Sequence, residues 1–160
     1  MKKIIVLALI VFTAWTAQAQ SHFVKDAAKE EKAIKAAVLQ YIENFFENKY
    51  EPMAEVLHPR LAKRGMSYGR SGEQKLSDEF GPAALKKLMA SKQPFPKKYQ
   101  KNKVKVLEIF RNQASVRLVT GYPRVRWVEY MHLAKLDGKW MIMNVFYDYF
   151  PRKKTRKEKE

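Results

Sequence analysis

The sequence predicts an α+β fold in which N-terminal helices close the concave side of a bent antiparallel sheet. Three features of the chain carry that prediction. Between Ala33 and Phe45, apolar side chains recur at three-and-four spacing, the signature of a one-sided helix. From Val104 onward, apolar and polar residues alternate in runs separated by turn signals. Asp137-Gly138 sits between the aromatic-rich runs WVEYMHLAKL and KWMIMNVFYDY, which is the strongest short-range signal for a two-residue hairpin turn.

In chain order, Met1-Lys2-Lys3, the apolar run from Ile4 to Val11 and the small-x-small site Ala17-Gln18-Ala19 read as a signal peptide spanning residues 1–19. The apolar run is shorter than the ~18–20 residues of a membrane span. The expected location is therefore periplasmic or secreted. Asp26 is placed to cap a helix running to about Asn48, with Ala33, Ile34, Ala37, Val38, Tyr41, Ile42 and Phe45 as its apolar stripe. A short helix opens at Glu51-Pro52 and ends at His58-Pro59, because a residue preceding proline leaves helical conformation. Residues 60–80 carry three glycines among small and polar residues and read as a mobile loop. A third helix begins at Pro82 and runs to about Ser91. Strands are expected over Val104–Phe110, Ala114–Thr120, Val125–Leu136 and Lys139–Tyr149. The folded domain then spans 26–150, followed by a basic, disordered tail over 151–160.

Counting outward from Asp137-Gly138 pairs Lys135 with Trp140, Leu133 with Ile142, Met131 with Asn144 and Glu129 with Phe146. This register puts Trp127, Glu129, Met131, Trp140, Asn144 and Phe146 on one face. It puts Tyr130, His132, Met141, Met143 and Val145 on the other. Both faces are largely apolar, so both need covering.

Lys and Arg number 32 against 16 Asp and Glu, a formal charge of +16. Such a surface attracts anionic polymers weakly and in a salt-dependent way, without implying a specific nucleic-acid partner. The absence of cysteine excludes thiol catalysis, cysteine-bound zinc and disulfides. The three histidines lie on separate elements with no ligand spacing, so no metal is expected. No glycine-rich phosphate loop is present, and no cofactor is expected.

Tyr41-Ile42, Leu57-His58-Pro59, Leu61-Ala62-Lys63-Arg64, Val128-Glu129-Tyr130-Met131-His132-Leu133 and Asp137-Gly138-Lys139-Trp140, in that order, resemble the putative lumazine-binding family. That family belongs to the nuclear-transport-factor-2-like (SnoaL-like) superfamily. The resemblance covers about residues 28–149. It implies a cone: three N-terminal helices packed on a strongly curved antiparallel sheet, with a pocket at the open end. The sequence departs from the family pattern at Glu129, where aspartate is expected, and in a longer loop through Gly121-Tyr122-Pro123-Arg124. The superfamily hosts both enzymes and non-catalytic binders, so the fold alone carries no chemistry.

Glu129 is the foremost candidate for chemistry, with Asn144 as its diagonal neighbour across the hairpin. A carboxylate in an apolar pocket is suited to take a proton from a carbon beside a carbonyl. The other reading, which the residues favour, is a core carboxylate paired with a nearby arginine or capped by Asn144. His58, at the end of the short helix, is the second acid/base candidate, or a structural imidazole bonded to a carbonyl. Tyr41, Phe45, Trp127, Glu129, Met131, Trp140, Asn144 and Phe146 are the expected ligand-binding residues, or simply core. Arg117, Arg124 and Arg126 could ring an anion, or face outward. Tyr130, His132, Met141, Met143 and Val145 form the expected homodimer interface.

The leading expectation is an exported protein that binds a small hydrophobic or planar molecule. An isomerase or dehydratase using Glu129 or His58 is the alternative. An envelope adaptor for anionic polymer is the third.

Overall fold

A computed structural model describes residues 26–69, 71–122 and 125–150. The signal peptide, the basic tail and Arg124 expected from the sequence lie outside the described residues. Helix α1 spans Ala27–Glu47, α2 Tyr50–Ala54 and α3 Pro82–Ser91. The strands are β1 Leu57–Tyr68, β2 Gln74–Leu76, β3 Lys103–Phe110, β4 Gln113–Tyr122, β5 Val125–Leu136 and β6 Lys139–Tyr149. They form one sheet in the order β2-β1-β6-β5-β4-β3.

Helix α1 has the ends its sequence dictates. The Asp26 side chain accepts from the Lys29 N–H at 3.2 Å, satisfying one of the donors a helix start leaves over. Asn48, at φ 60°, terminates it in left-handed conformation. Its buried stripe is Ile34, Ala37, Val38, Tyr41, Ile42 and Phe46. Ala33 is exposed and Phe45 half-buried, so the stripe lies slightly round the helix from where the sequence sets it. Burial of each of Ile34, Val38 and Ile42 contributes about 1.5–3 kcal/mol. The stripe packs into the concave side of the sheet, against Met131, Leu133, Ile142 and Val116 among others.

The run expected to be a mobile loop is the main correction. Residues 57–68 form a twelve-residue strand, with β2 folded back antiparallel on its end. β1 runs parallel to β6, so the sheet is mixed rather than purely antiparallel. The strand hides in the sequence because its first half is irregular: Leu57 pairs with Ile142, but the next pair is Ala62 with Asn144. His58 and Pro59 lie inside that bulge. Proline tolerates such a place because no ladder hydrogen bond is asked of it.

The hairpin turn is as expected. Asp137 and Gly138 both have positive φ, 48° and 79°, as a type I′ turn requires. Register departs from simple counting further out. Leu133 faces Ile142, but His132 faces Asn144, leaving Met143 as an extra residue in β6. From that bulge outward every β6 side chain changes face. Val145 and Tyr147 turn inward, and Asn144 and Phe146 turn outward.

Candidate functional site

A buried ion pair lies at the centre of the concave side. Lys63 of β1 and Glu129 of β5 meet at 2.5 Å, Nζ to Oε1, with side chains 9% and 1% exposed. Backbone geometry fixes both. Lys63 sits beside Val145 of β6 on one edge. On the other edge it exchanges two backbone hydrogen bonds with Phe80, at 3.2 and 2.8 Å. Glu129 lies between Leu118 of β4 and Tyr147 of β6. A pair removed this far from water is sustained only by close contact and further hydrogen bonds.

Several of those bonds are present. The Lys63 ammonium donates to the Tyr41 hydroxyl at 2.8 Å, and the Trp127 indole N–H donates to Glu129 Oε1 at 2.9 Å. The ammonium also stands over two aromatic faces, 4.8 Å from the Tyr147 centroid and 5.5 Å from that of Tyr41, an arrangement in which ring quadrupoles attract the cation. Burial draws the Lys63 ammonium below its usual range, and the charge of Glu129 opposes that. Burial, reinforced by the Glu129 charge, pushes the Tyr41 hydroxyl well up. The Lys63 and Trp127 donors converge on Oε1, and the Tyr41 hydroxyl stands close to the carboxylate as well. Oε2 is buried with no hydrogen-bond partner among the described residues.

Towards the strand ends the pair is bordered by aromatic rings. Trp127 packs on Phe46 at 5.6 Å and on Tyr149 at 5.9 Å between centroids. Phe95 packs on Tyr122 at 4.7 Å. Tyr147 is half-buried and Tyr149 exposed. Gly65 lies under Tyr147, and a Cβ there would run into its ring.

Of the ligand-binding residues expected from the sequence, Tyr41, Trp127 and Glu129 come together here. Phe45 stacks on Tyr41 at 6.5 Å, and Met131 is buried next along the inner face. Trp140 is buried at the hairpin-turn end and donates to Glu30 Oε2 at 2.7 Å. Asn144 and Phe146 do not belong. The Met143 bulge turns both to the outer face, where Asn144 bonds His132 Nδ1 at 2.9 Å and Phe146 lies opposite Tyr130. Val145, expected at an interface, is core for the same reason. Tyr130, His132, Met141 and Met143 keep the outer face. His58 Nδ1 accepts from the Arg60 N–H at 3.1 Å, so it braces the β1 bulge rather than a helix carbonyl. Arg117 lies between Lys105 and Tyr130 on the outer face and Arg126 stands over Phe150, so the two do not converge.

Lys63 and Tyr147 are the members that the sequence does not single out. A signal for Lys63 does exist: Leu61, Lys63 and Gly65 occupy alternate positions, and a lysine in phase with a leucine on a strand faces the core. The glycines of residues 65–72 mask it. Tyr147 is hidden by the bulge.

The outer face holds a groove of about 410 Å³ whose lining includes Glu108, Phe110, Ser115, His132 and Met143.

Comparison with known proteins agrees with the fold. A nuclear-transport-factor-2-like protein of unknown function from Shewanella baltica OS155 superposes with a TM-score of 0.66 at 18% identity, over 80% of this chain and 99% of that one. Another, from Methylobacillus flagellatus KT, gives 0.66 at 22% identity, over 80% and 98%. The hub homology domain of a CamKII from Chlamydomonas reinhardtii gives 0.56 at 16% identity, over 76% and 99%. These likenesses show the fold. No curated protein matches the sequence. The model of one family, described as putative lumazine-binding, matches residues 29–148. The chain belongs to the putative lumazine-binding family.

Proposed function

We propose that this is an exported protein that binds a small hydrophobic or planar molecule inside the cone, between α1 and the concave sheet, with Lys63 and Glu129 as the polar floor of the site. One observation carries the reading: a carboxylate oxygen, Glu129 Oε2, is buried with no hydrogen-bond partner among the described residues, beside aromatic side chains. An unpaired buried acceptor of this kind costs about 1–3 kcal/mol, more when charged, and a ligand donor would relieve that cost. The family description points the same way. Export rests on the signal-like segment of residues 1–19. The acid/base alternative draws less support, since Glu129 Oε1 is engaged by both an ammonium and an indole and His58 Nδ1 by a backbone N–H.

Mass spectrometry of small molecules released from natively purified protein is the direct test. A planar compound recovered in near-stoichiometric amount, and lost from the Glu129→Gln protein, is the expected result. Empty protein that also fails to bind lumazine would overturn the reading.

The outer face favours a homodimer as an accompanying property. Tyr130 and Phe146 are direct cross-strand partners and are 51% and 44% exposed, and the groove beside them is of ligand-pocket size. The hub homology domain among the structural neighbours lends this support. Sedimentation velocity should give a dimer that Tyr130→Glu with Phe146→Glu converts to monomer. A monomeric wild type would end the idea.

A further inference from the structure

A second Lys–Glu–Trp cluster in the molecule serves as an internal control for the first. At the hairpin-turn end, Glu30 of α1 receives Lys135 Nζ on Oε1 at 2.6 Å and the Trp140 indole on Oε2 at 2.7 Å. The same two donor types are therefore spread over both oxygens, and the carboxylate is satisfied. At Glu129 the same donor types crowd onto Oε1 and leave Oε2 without a hydrogen-bond partner among the described residues, although that side chain is far more deeply buried. A clamp that served only to hold elements together would resemble the Glu30 cluster, with both carboxylate oxygens used.

The donor side shows the complementary feature. A lysine ammonium carries three N–H donors. At Lys63, Glu129 and Tyr41 take two. Among the described residues the third has the Tyr41 and Tyr147 ring faces, which accept far more weakly than a carbonyl. The centre thus offers an acceptor and a donor side by side, between aromatic side chains.

We infer that Lys63 and Glu129 together recognise the lactam or imide edge of a neutral planar ring system. The ligand N–H donates to Glu129 Oε2, and its neighbouring C=O accepts from Lys63. This deepens the planar-ligand reading and rests on it. Neutrality follows from charge: the buried ion pair already cancels, so a net-charged ligand would bring an uncompensated charge out of water. Planarity follows from the bordering rings of Tyr41, Trp127 and Tyr147. A simple ketone would leave Oε2 unpaired, an aliphatic amine would arrive charged, and a neutral aromatic amine would offer no carbonyl to Lys63. Entry requires the half-buried Tyr147 ring to turn aside from Lys63.

The test compares 1,8-naphthalimide with N-methyl-1,8-naphthalimide by isothermal titration on the wild-type protein. The two share ring and carbonyls and differ in the single N–H. The parent imide should bind roughly tenfold tighter or more. Glu129→Gln should erase that preference, because its amide nitrogen would occupy the Oε2 position and present a donor there. Equal binding of the two probes by wild type overturns the inference while leaving the planar-ligand reading intact. Failure of both probes to bind also overturns it, and the co-purification result then decides the broader reading separately. The wild-type comparison stands even if the Glu129→Gln protein misfolds.

Discussion

Two lysine–glutamate–tryptophan clusters, one at the hairpin turn and one in the cone, are built from the same side-chain types to different ends. Glu30 is joined to Lys135 with side chains 14% and 27% exposed, and both of its oxygens are used. It ties the first turn of α1 to the β5–β6 turn, where water still supplies much of the solvation. Glu129 and Lys63 are almost wholly removed from water, and one carboxylate oxygen has no hydrogen-bond partner among the described residues. The comparison teaches that residue types do not define a site. What separates the two clusters is how donors are distributed over one carboxylate, and how far that carboxylate lies from solvent.

The largest test of this contrast is to break the buried pair. Lys63→Met or Glu129→Leu alone should cost about 3–5 kcal/mol in chemical denaturation, because each strands a charge in the core. The double variant should be distinctly more stable than either single one. If the singles cost no more than a surface pair, about 0–1 kcal/mol, the two clusters do not differ as described. A smaller perturbation reaches only the cone. Gly65→Ala should push the Tyr147 ring off Lys63 and cost about 1–3 kcal/mol, with no change at the hairpin turn. An unaltered denaturation midpoint would show that the ring gives way freely.

The smallest effect belongs to the outer cluster. Glu30→Gln should cost about 1 kcal/mol, and that cost should depend on pH. The hydrogen bond from Lys135, then that from Trp140, hold the Glu30 carboxyl below its ordinary value of 4.5. The folded form therefore binds its proton less readily than the unfolded chain. The stabilisation is full above pH 4.5 and fades as pH falls through the lower folded value. The gap between wild type and the Glu30→Gln protein should close on acidification; a gap that stays constant from pH 7 to pH 3 would refute the assignment.

Much of the architecture can be read from the chain, for identifiable reasons. The Asp26 and Asn48 ends of α1, the Pro82 start of α3 and the Asp137-Gly138 turn are local effects of single residues, and each stands where the sequence puts it. What resists reading is non-local. β1 is held by a parallel neighbour and interrupted by a bulge at His58-Pro59, so neither periodicity nor turn chemistry announces it. The site suffers from the same limit. Glu129, Trp127 and Tyr41 are legible because they lie on regular elements. Lys63 and Tyr147 are reached only through β1 and past the Met143 bulge, and Asn144 and Phe146 are misplaced by that same residue.

Met143 makes β6 a strand of two parities. Near the turn its even-numbered residues, Trp140 and Ile142, face α1; beyond the bulge the odd-numbered Val145 and Tyr147 do so. The β1 ladder slips at the same level, between its pairings with Ile142 and Asn144. The two irregularities lie side by side, like a dislocation line crossing a lattice, but only β6 changes parity: the inward residues of β1, Leu57, Leu61, Lys63 and Gly65, are odd-numbered throughout. On the far side of that line Lys63 stands beside Val145, and Gly65 opposite Tyr147. Were the phase unbroken, an amide and a phenyl ring would point at the ion pair where a valine and a tyrosine now do. The chemistry of the cone is thereby set by a counting defect as much as by the residues that line it.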